Sequence, residues 1–214
     1  MLVGMSATKA MQVNQLLANE YPDARCELDY STPLELLVAT VLSAQCTDAR
    51  ANQVTPELFQ KYPTPADYAR ASRSELENIL RPLGFQRAKA GHLIGIGEAL
   101  AAHEAFVDGE VPASVEELVA LPGVGRKTAL VVLGNAYDMP GLTVDTHFAR
   151  LMGRLGLSHA KTPLAIERDI ASQVDSQEWT MFSHRIIFHG RRVCTARKPR
   201  CEDCVLAQLC EARI

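Results

Sequence analysis

Leu121-Pro122-Gly123-Val124-Gly125-Arg126-Lys127-Thr128-Ala129 decides how the chain folds. Pro-Gly-x-Gly predicts a tight hairpin, because glycine accepts positive φ without steric cost. Ahead of it, Ser114-Val115-Glu116-Glu117 opens a short amphipathic helix running to Ala120; behind it, Thr128 to Leu133 reads as an apolar helix. The bare backbone at Gly123, Val124 and Gly125 lets N–H groups approach a phosphate, and the outgoing helix adds the positive end of its dipole. The pattern is a helix–hairpin–helix, a sequence-tolerant grip on a nucleic-acid backbone. The alternative is a purely structural αα-hairpin.

Working outward, helix signals recur and no alternating strand pattern appears. Thr32-Pro33-Leu34-Glu35 reads as N-cap, first-turn proline and capping-box acid before the apolar run Leu36 to Leu42. Thr64-Pro65-Ala66-Asp67 and Ser72-Arg73-Ser74-Glu75 repeat that logic, while Thr162-Pro163 and Ser176-Gln177-Glu178 open two later helices. Gln86 to Ala105 reads as one long helix whose Gly91, Gly95 and Gly97 permit close packing. About ten helices and no sheet predict an all-α protein. Hydrophobic residues make up 47%, so the chain is globular, and no apolar run reaches the ~18 residues a bilayer crossing needs. The start lacks a secretory pattern, so an intracellular protein is expected.

Lys127 opens the outgoing helix, where the dipole disfavours a cation. The dipole and partial desolvation favour a free amine able to attack carbon; a lysine near a helix start is by itself usually a solvated charge, and its place directly behind the hairpin reverses that reading. Val144-Asp145-Thr146-His147-Phe148-Ala149-Arg150 is the second candidate. Asp145 is placed to N-cap the helix running to Leu155, and a carboxylate there can also stabilise an oxocarbenium-like sugar. His147 could meet a phosphate or simply pack.

Cys194-x6-Cys201-x2-Cys204-x5-Cys210 is the third. Four thiolates hold either tetrahedral Zn²⁺ or a [4Fe–4S] cube, and the single close pair within a compact run suits the cube. Cys26 and Cys46 stand apart and read as ordinary buried thiols. The net charge of −3 hides an asymmetry: residues 140–214 carry 11 basic and 8 acidic side chains. Residues 183–200 hold Arg185, Arg191, Arg192, Arg197, Lys198 and Arg200 and no acid. That block reads as a phosphate-binding face, or as a solvated surface.

LPGVGRKTA, VDTHFAR, HGRRVC and ARKPRCEDC, in this order, together with Leu42-Ser43-Ala44-Gln45, resemble the endonuclease III family of DNA glycosylases. The likeness implies a two-domain helix–hairpin–helix glycosylase fold. A six-helix domain would span 26–139, and a cluster domain would join 1–25 to 140–214, with DNA in a groove between them. It implies removal of oxidised or ring-damaged pyrimidines, then β-elimination at the abasic sugar. Lys127 matches the Schiff-base lysine, Asp145 the essential aspartate, and Cys194, Cys201, Cys204 and Cys210 the ligands of one [4Fe–4S] cluster. Gln45 matches the residue filling the gap left by an extruded nucleotide. Gly123, Val124, Gly125, His147, Arg191 and Arg197 complete the expected DNA contacts. The partner would be double-stranded DNA with damaged pyrimidines or abasic sites, met by a monomer in the nucleoid.

Two departures stand out: Phe85 where an aliphatic residue often intercalates, with Gln86 after it, and Cys46 in place of alanine. Phe85 is either a wedge into DNA or a hydrophobic staple packed inward. A monofunctional adenine-mismatch glycosylase would lack the lysine. A non-enzymatic zinc module would leave the Lys127–Asp145 pair without a role.

Overall fold

The computed structural model describes residues 8–103, 106 and 110–212. Among them are twelve α-helices, short 3-10 turns and no strand. The chain divides into two compact units. One runs Glu27–Met139; the other takes the chain up to Cys26 and from Pro140 onward. In the second unit lie α1 (Lys9–Glu20), α10 (Thr146–Arg154), α11 (Pro163–Ala171) and α12 (Trp179–Arg192). Among the described residues the first holds eight α-helices where six were expected: α2 (Pro33–Leu42), α3 (Asp48–Asn52), α4 (Thr55–Lys61), α5 (Pro65–Ala69), α6 (Arg73–Leu80), α7 (Gln86–Ala101), α8 (Val115–Ala120) and α9 (Arg126–Ala136). The surplus comes from α3 and α5, each little more than one turn.

Most helix starts follow their caps. Thr32, Thr64, Ser114 and Thr162 each accept a backbone N–H from the third residue on, and Thr64 forms a reciprocal box with Asp67. Ser72 makes no such bond. Its hydroxyl meets Ser74 Oγ instead, and Glu75 is drawn away to Lys61 and Tyr62. That pairing lowers the Glu75 carboxyl below its ordinary value, with Lys61 the larger cause. The helix expected over 176–178 begins as a 3-10 turn capped by Asp175 before α12 takes over. Of the long helix read to Ala105, α7 reaches Ala101, and residues 104 and 105 lie outside the described set.

In the Glu27–Met139 unit, α2 is buried on all sides: Leu34 and every residue from Leu36 to Leu42 are inside. Each such Leu or Val contributes roughly 1.5–3 kcal/mol by leaving water. It packs against α9, the outgoing helix of the hairpin. Across the unit, α7 lies on α5 so closely that a Cβ at Gly97 would stand 2.5 Å from the Ala69 nitrogen.

The other unit is discontinuous because α1 completes the core of the later helices. Ala10, Val13 and Leu17 join Phe148, Leu151, Phe182 and Ile186 in one cluster, with Phe148 and Phe182 edge to face at 5.8 Å. A polar clasp seals the seam. Asn14 Nδ2 donates to Glu178 Oε2 at 3.0 Å, and Arg185 Nη1 donates to both Asn14 Oδ1 and Glu178 Oε2. Lys9 pairs with Glu211 at 2.8 Å. Cys194, Cys204 and Cys210 pack against this same core, which fixes the thiol-bearing tail to it.

Candidate nucleic-acid interface and metal centre

The hairpin between α8 and α9 is built as its glycines require. Gly123 has φ +75°, and a Cβ there would stand 2.5 Å from His92 Nδ1 on α7. Gly95, also on α7, lies so close to Pro122 that its Cβ would come within 2.9 Å of the ring. Hence α7 is the floor of the hairpin. Val124 is buried, and its N–H donates to Leu121 O at 3.1 Å, so it anchors the turn from inside instead of facing outward. Gly123 and Gly125 are exposed. Gly125 is the N-cap of α9, so no side chain caps that terminus, and no acid stands in its first turn. An outside anion therefore meets open backbone donors at the positive end of the helix.

Lys127 is the second residue of α9 and is exposed. Its side chain is exposed where partial burial was expected. Asp145, half-buried in the other unit, caps α10 by accepting from Phe148 N at 2.8 Å. Both roles read for it are thus open together: one carboxylate oxygen serves the cap and leaves the second available.

The helix that Asp145 starts ends at the cysteines, through two residues the sequence reading passed over. Arg150 Nη2 donates to Gly190 O and Cys194 O, each at 2.9 Å, and lies 3.2 Å from His147 Nδ1. His147 is therefore packed against Arg150 and Gly190, half-buried rather than reaching out freely. Arg154 Nη1 donates to Cys194 Sγ at 3.1 Å and Thr195 O at 2.8 Å, while Nη2 holds Ala196 O. Two arginines four residues apart on one helix face, with no acid beside them, were the available signal. His189 is a third: it is buried, sits 3.0 Å from Tyr21 Oη and 3.2 Å from Cys204 Sγ, and burial draws its pKa down to about 4.

All four cysteines line one pocket with an empty volume of about 360 Å³. Among the described residues no three His, Cys, Asp or Glu side chains converge as a single ion requires. One Zn²⁺ would need its sulfurs about 2.3 Å from a common point. Thiols ringing a pocket fit a cube that takes one cysteine per iron. The Arg154 guanidinium beside Cys194 suits a thiolate ligand. Burial pushes the Cys204 thiol up, so a cationic group at this place supplies what the protein surroundings withhold. The pocket and the loop arginines belong to one construction, since Arg154 holds the carbonyls of residues 195 and 196. Arg191 and Arg197 are exposed.

Gln45 and Phe85 resemble each other in an unforeseen way. Both are non-glycine residues in the left-handed region, at φ +59° and +51°. Holding each there costs roughly 1–3 kcal/mol. Gln45 is exposed, and Phe85 is 63% exposed, which removes the staple reading. Cys26 and Cys46 are half-buried instead of buried; the Cys46 thiol donates to Leu42 O at 3.2 Å.

Comparison with known proteins adds independent findings. Residues 38–175 match the HhH-GPD superfamily of base excision DNA repair proteins, and residues 194–210 the iron–sulfur binding domain of endonuclease III. The chain is 51% identical over 203 residues to the endonuclease III of Synechocystis sp., covering 94% of this chain and 91% of that protein. It superposes with a TM-score of 0.88, at 42% identity and over 97% of each chain, on an endonuclease III in a non-covalent complex with DNA. A second structure, a trapped covalent intermediate of endonuclease III with DNA, matches with the same TM-score and identity over 95% of this chain and 96% of that one.

Proposed function

Since the chain belongs to the endonuclease III family of HhH-GPD base excision repair proteins, we infer that it is a bifunctional DNA N-glycosylase and abasic-site lyase. It acts in base excision repair on double-stranded DNA, removing oxidised or ring-damaged pyrimidines and then cutting the abasic strand. The observation that carries the assignment of residues is the exposed Lys127 amine, set behind a hairpin whose helix terminus is left uncapped.

The residues divide the work as follows. Gly123 and Gly125 offer backbone N–H groups to a phosphate, while Val124 holds the turn. The Lys127 amine attacks C1′ of the damaged nucleotide; a C1′–N bond forms as the bond to the base breaks, and the base leaves with a proton. Asp145 accepts the proton released by the amine, passes it to the departing base, and stabilises the developing positive charge on the sugar. The C1′–O4′ bond then opens, O4′ taking a proton, to leave an iminium at C1′; loss of a C2′ proton from it breaks the C3′–O bond, and water releases the amine. Gln45 and Phe85 fill the stack left by the extruded nucleotide; their exposure and their conformational cost support that reading.

The chain is a [4Fe–4S] protein, and Cys194, Cys201, Cys204 and Cys210 are the residues that would hold its single cluster. When bound, that group ties four points of the chain together and so shapes the basic 194–200 loop. Arg191 and Arg197 then meet DNA phosphates. The enzyme works as a monomer at the nucleoid.

Borohydride trapping tests the assignment. Lys127→Gln is expected to keep its fold and DNA affinity and to lose strand cleavage and covalent trapping on abasic DNA. Trapping at the parent rate would show that another amine is the nucleophile.

A further inference from the structure

The loops that carry Gln45 and Phe85 share a buried cation. Lys89 lies one turn into α7, four residues beyond Phe85, and is only 4% exposed. Its Nζ donates to Leu83 O at 3.1 Å, reaching back across Gly84 and Phe85. The same Nζ stands 3.9 Å from Cys46 Sγ, on the residue after Gln45, and that thiol in turn donates to Leu42 O. A relay of polar atoms thus runs from the 3-10 turn before Phe85 to the last turn of α2 before Gln45. Between the loops is an open cleft with an empty volume of about 1050 Å³, lined among others by Gln45, Arg50, Arg81 and Phe85.

A buried ammonium is costly unless hydrogen-bonded, and burial lowers the Lys89 pKa from its ordinary value. An apolar side chain of similar length would pack here at less cost. What it could not do is hold the Leu83 carbonyl. That bond closes the segment Leu83–Lys89 over two consecutive residues of positive φ, Gly84 at +70° and Phe85 at +51°. Left open, Gly84 has many backbone states, and Phe85 would leave the left-handed region for a cheaper one.

We propose that Lys89 is a positioning residue for base extrusion: it ties the Phe85 loop to the Gln45 loop, so that both side chains enter the duplex already ordered. The proposal rests on the reading of Gln45 and Phe85 as the residues that fill the vacated stack. Without the tie, the loops must be ordered at each encounter, and that cost falls on the step in which stacked bases are parted. A lesion that already lies unstacked makes no such demand.

Single-turnover base excision by the iron-loaded enzyme, on a lesion in full duplex and on the same lesion opposite a gap, separates the possibilities. Lys89→Met is expected to slow excision from the full duplex about tenfold, equivalent to about 1.4 kcal/mol, and from the gapped substrate by less than about twofold. Cys46→Ala, which leaves the lysine in place, is expected to show a smaller loss with the same selectivity, and it carries the test should Lys89→Met fold poorly. Phe85→Ala is the reference. Selective loss in Phe85→Ala with equal losses on both substrates in Lys89→Met and Cys46→Ala would overturn the role of Lys89 and leave the stack-filling reading intact. An unselective Phe85→Ala would overturn that reading and this one with it.

Discussion

Asp145 does two things that substitution can separate. It caps α10 through Phe148 N, and its carboxylate is assigned the proton and charge work at the sugar. Asparagine caps a helix about as well as aspartate does, whereas alanine costs about 1 kcal/mol. Asp145→Asn is therefore expected to melt within a degree or so of the parent, yet to lose on the order of 10²–10⁴ in base excision. It should retain more trapping on a preformed abasic site, where no glycosidic bond remains to break. Equal loss in both assays, with a lowered melting temperature, would mean that the cap is its whole contribution. At this scale the candidate chemistry-bearing residues were legible from local strings, because Lys127 and Asp145 stand at helix starts that glycine and cap patterns announce. Phe85 was not. A phenylalanine before a helix reads equally as staple or wedge, and only its exposure, a property of everything around it, distinguishes the two.

Helices came through nearly whole, since caps and prolines act within a few residues of the backbone they end. Ser72 shows where that logic stops: Glu75, its expected capping partner, is captured by Lys61 from a neighbouring helix. The pairing of α5 with α7 was visible only as a glycine pattern. With a Cβ at position 97 falling 2.5 Å from a backbone nitrogen, Gly97→Ala must push the helices apart. Overpacking of this kind costs about 1–3 kcal/mol, to be read as a lower denaturant midpoint with unchanged slope; an unchanged midpoint would contradict the close approach. Between α1 and α12, Glu178 gives a pH signature. Its hydrogen bonds from Asn14 first, then Arg185, lower its pKa below the ordinary 4.5. A depressed carboxylate stabilises the fold above its unfolded pKa, and the contribution is lost as pH falls through the folded value. Glu178→Gln should therefore lower melting temperature at pH 7, and the gap to the parent should close below pH 4.5. A gap that persists unchanged at low pH would show that the clasp acts by shape and not by charge.

At the scale of the molecule, the thiol-bearing tail and the helix begun by Asp145 form one polar construction, with Arg150 and Arg154 donating to Gly190, Cys194, Thr195 and Ala196. Protein made and kept without oxygen should carry about four irons per chain, as one cube on four thiolates requires. Stoichiometric zinc without iron would refute the cluster. Arg197→Ala should weaken binding alike on damaged and undamaged duplexes and reduce the salt slope by about 1, because a phosphate contact reads no base. A loss confined to damaged DNA would instead place Arg197 in lesion recognition.

The sequence by itself determined the helical class and the hairpin, and it pointed to the candidate nucleophile, carboxylate and cluster ligands. All of these are specified by residues close together in the chain, where φ preferences, caps and ligand spacing act directly. Only the tertiary structure decided that Val124 faces inward, that Phe85 faces out, and that Lys89 meets Cys46, forty-three positions away. Those are outcomes of burial and of hydrogen bonds between distant segments, which no local pattern encodes.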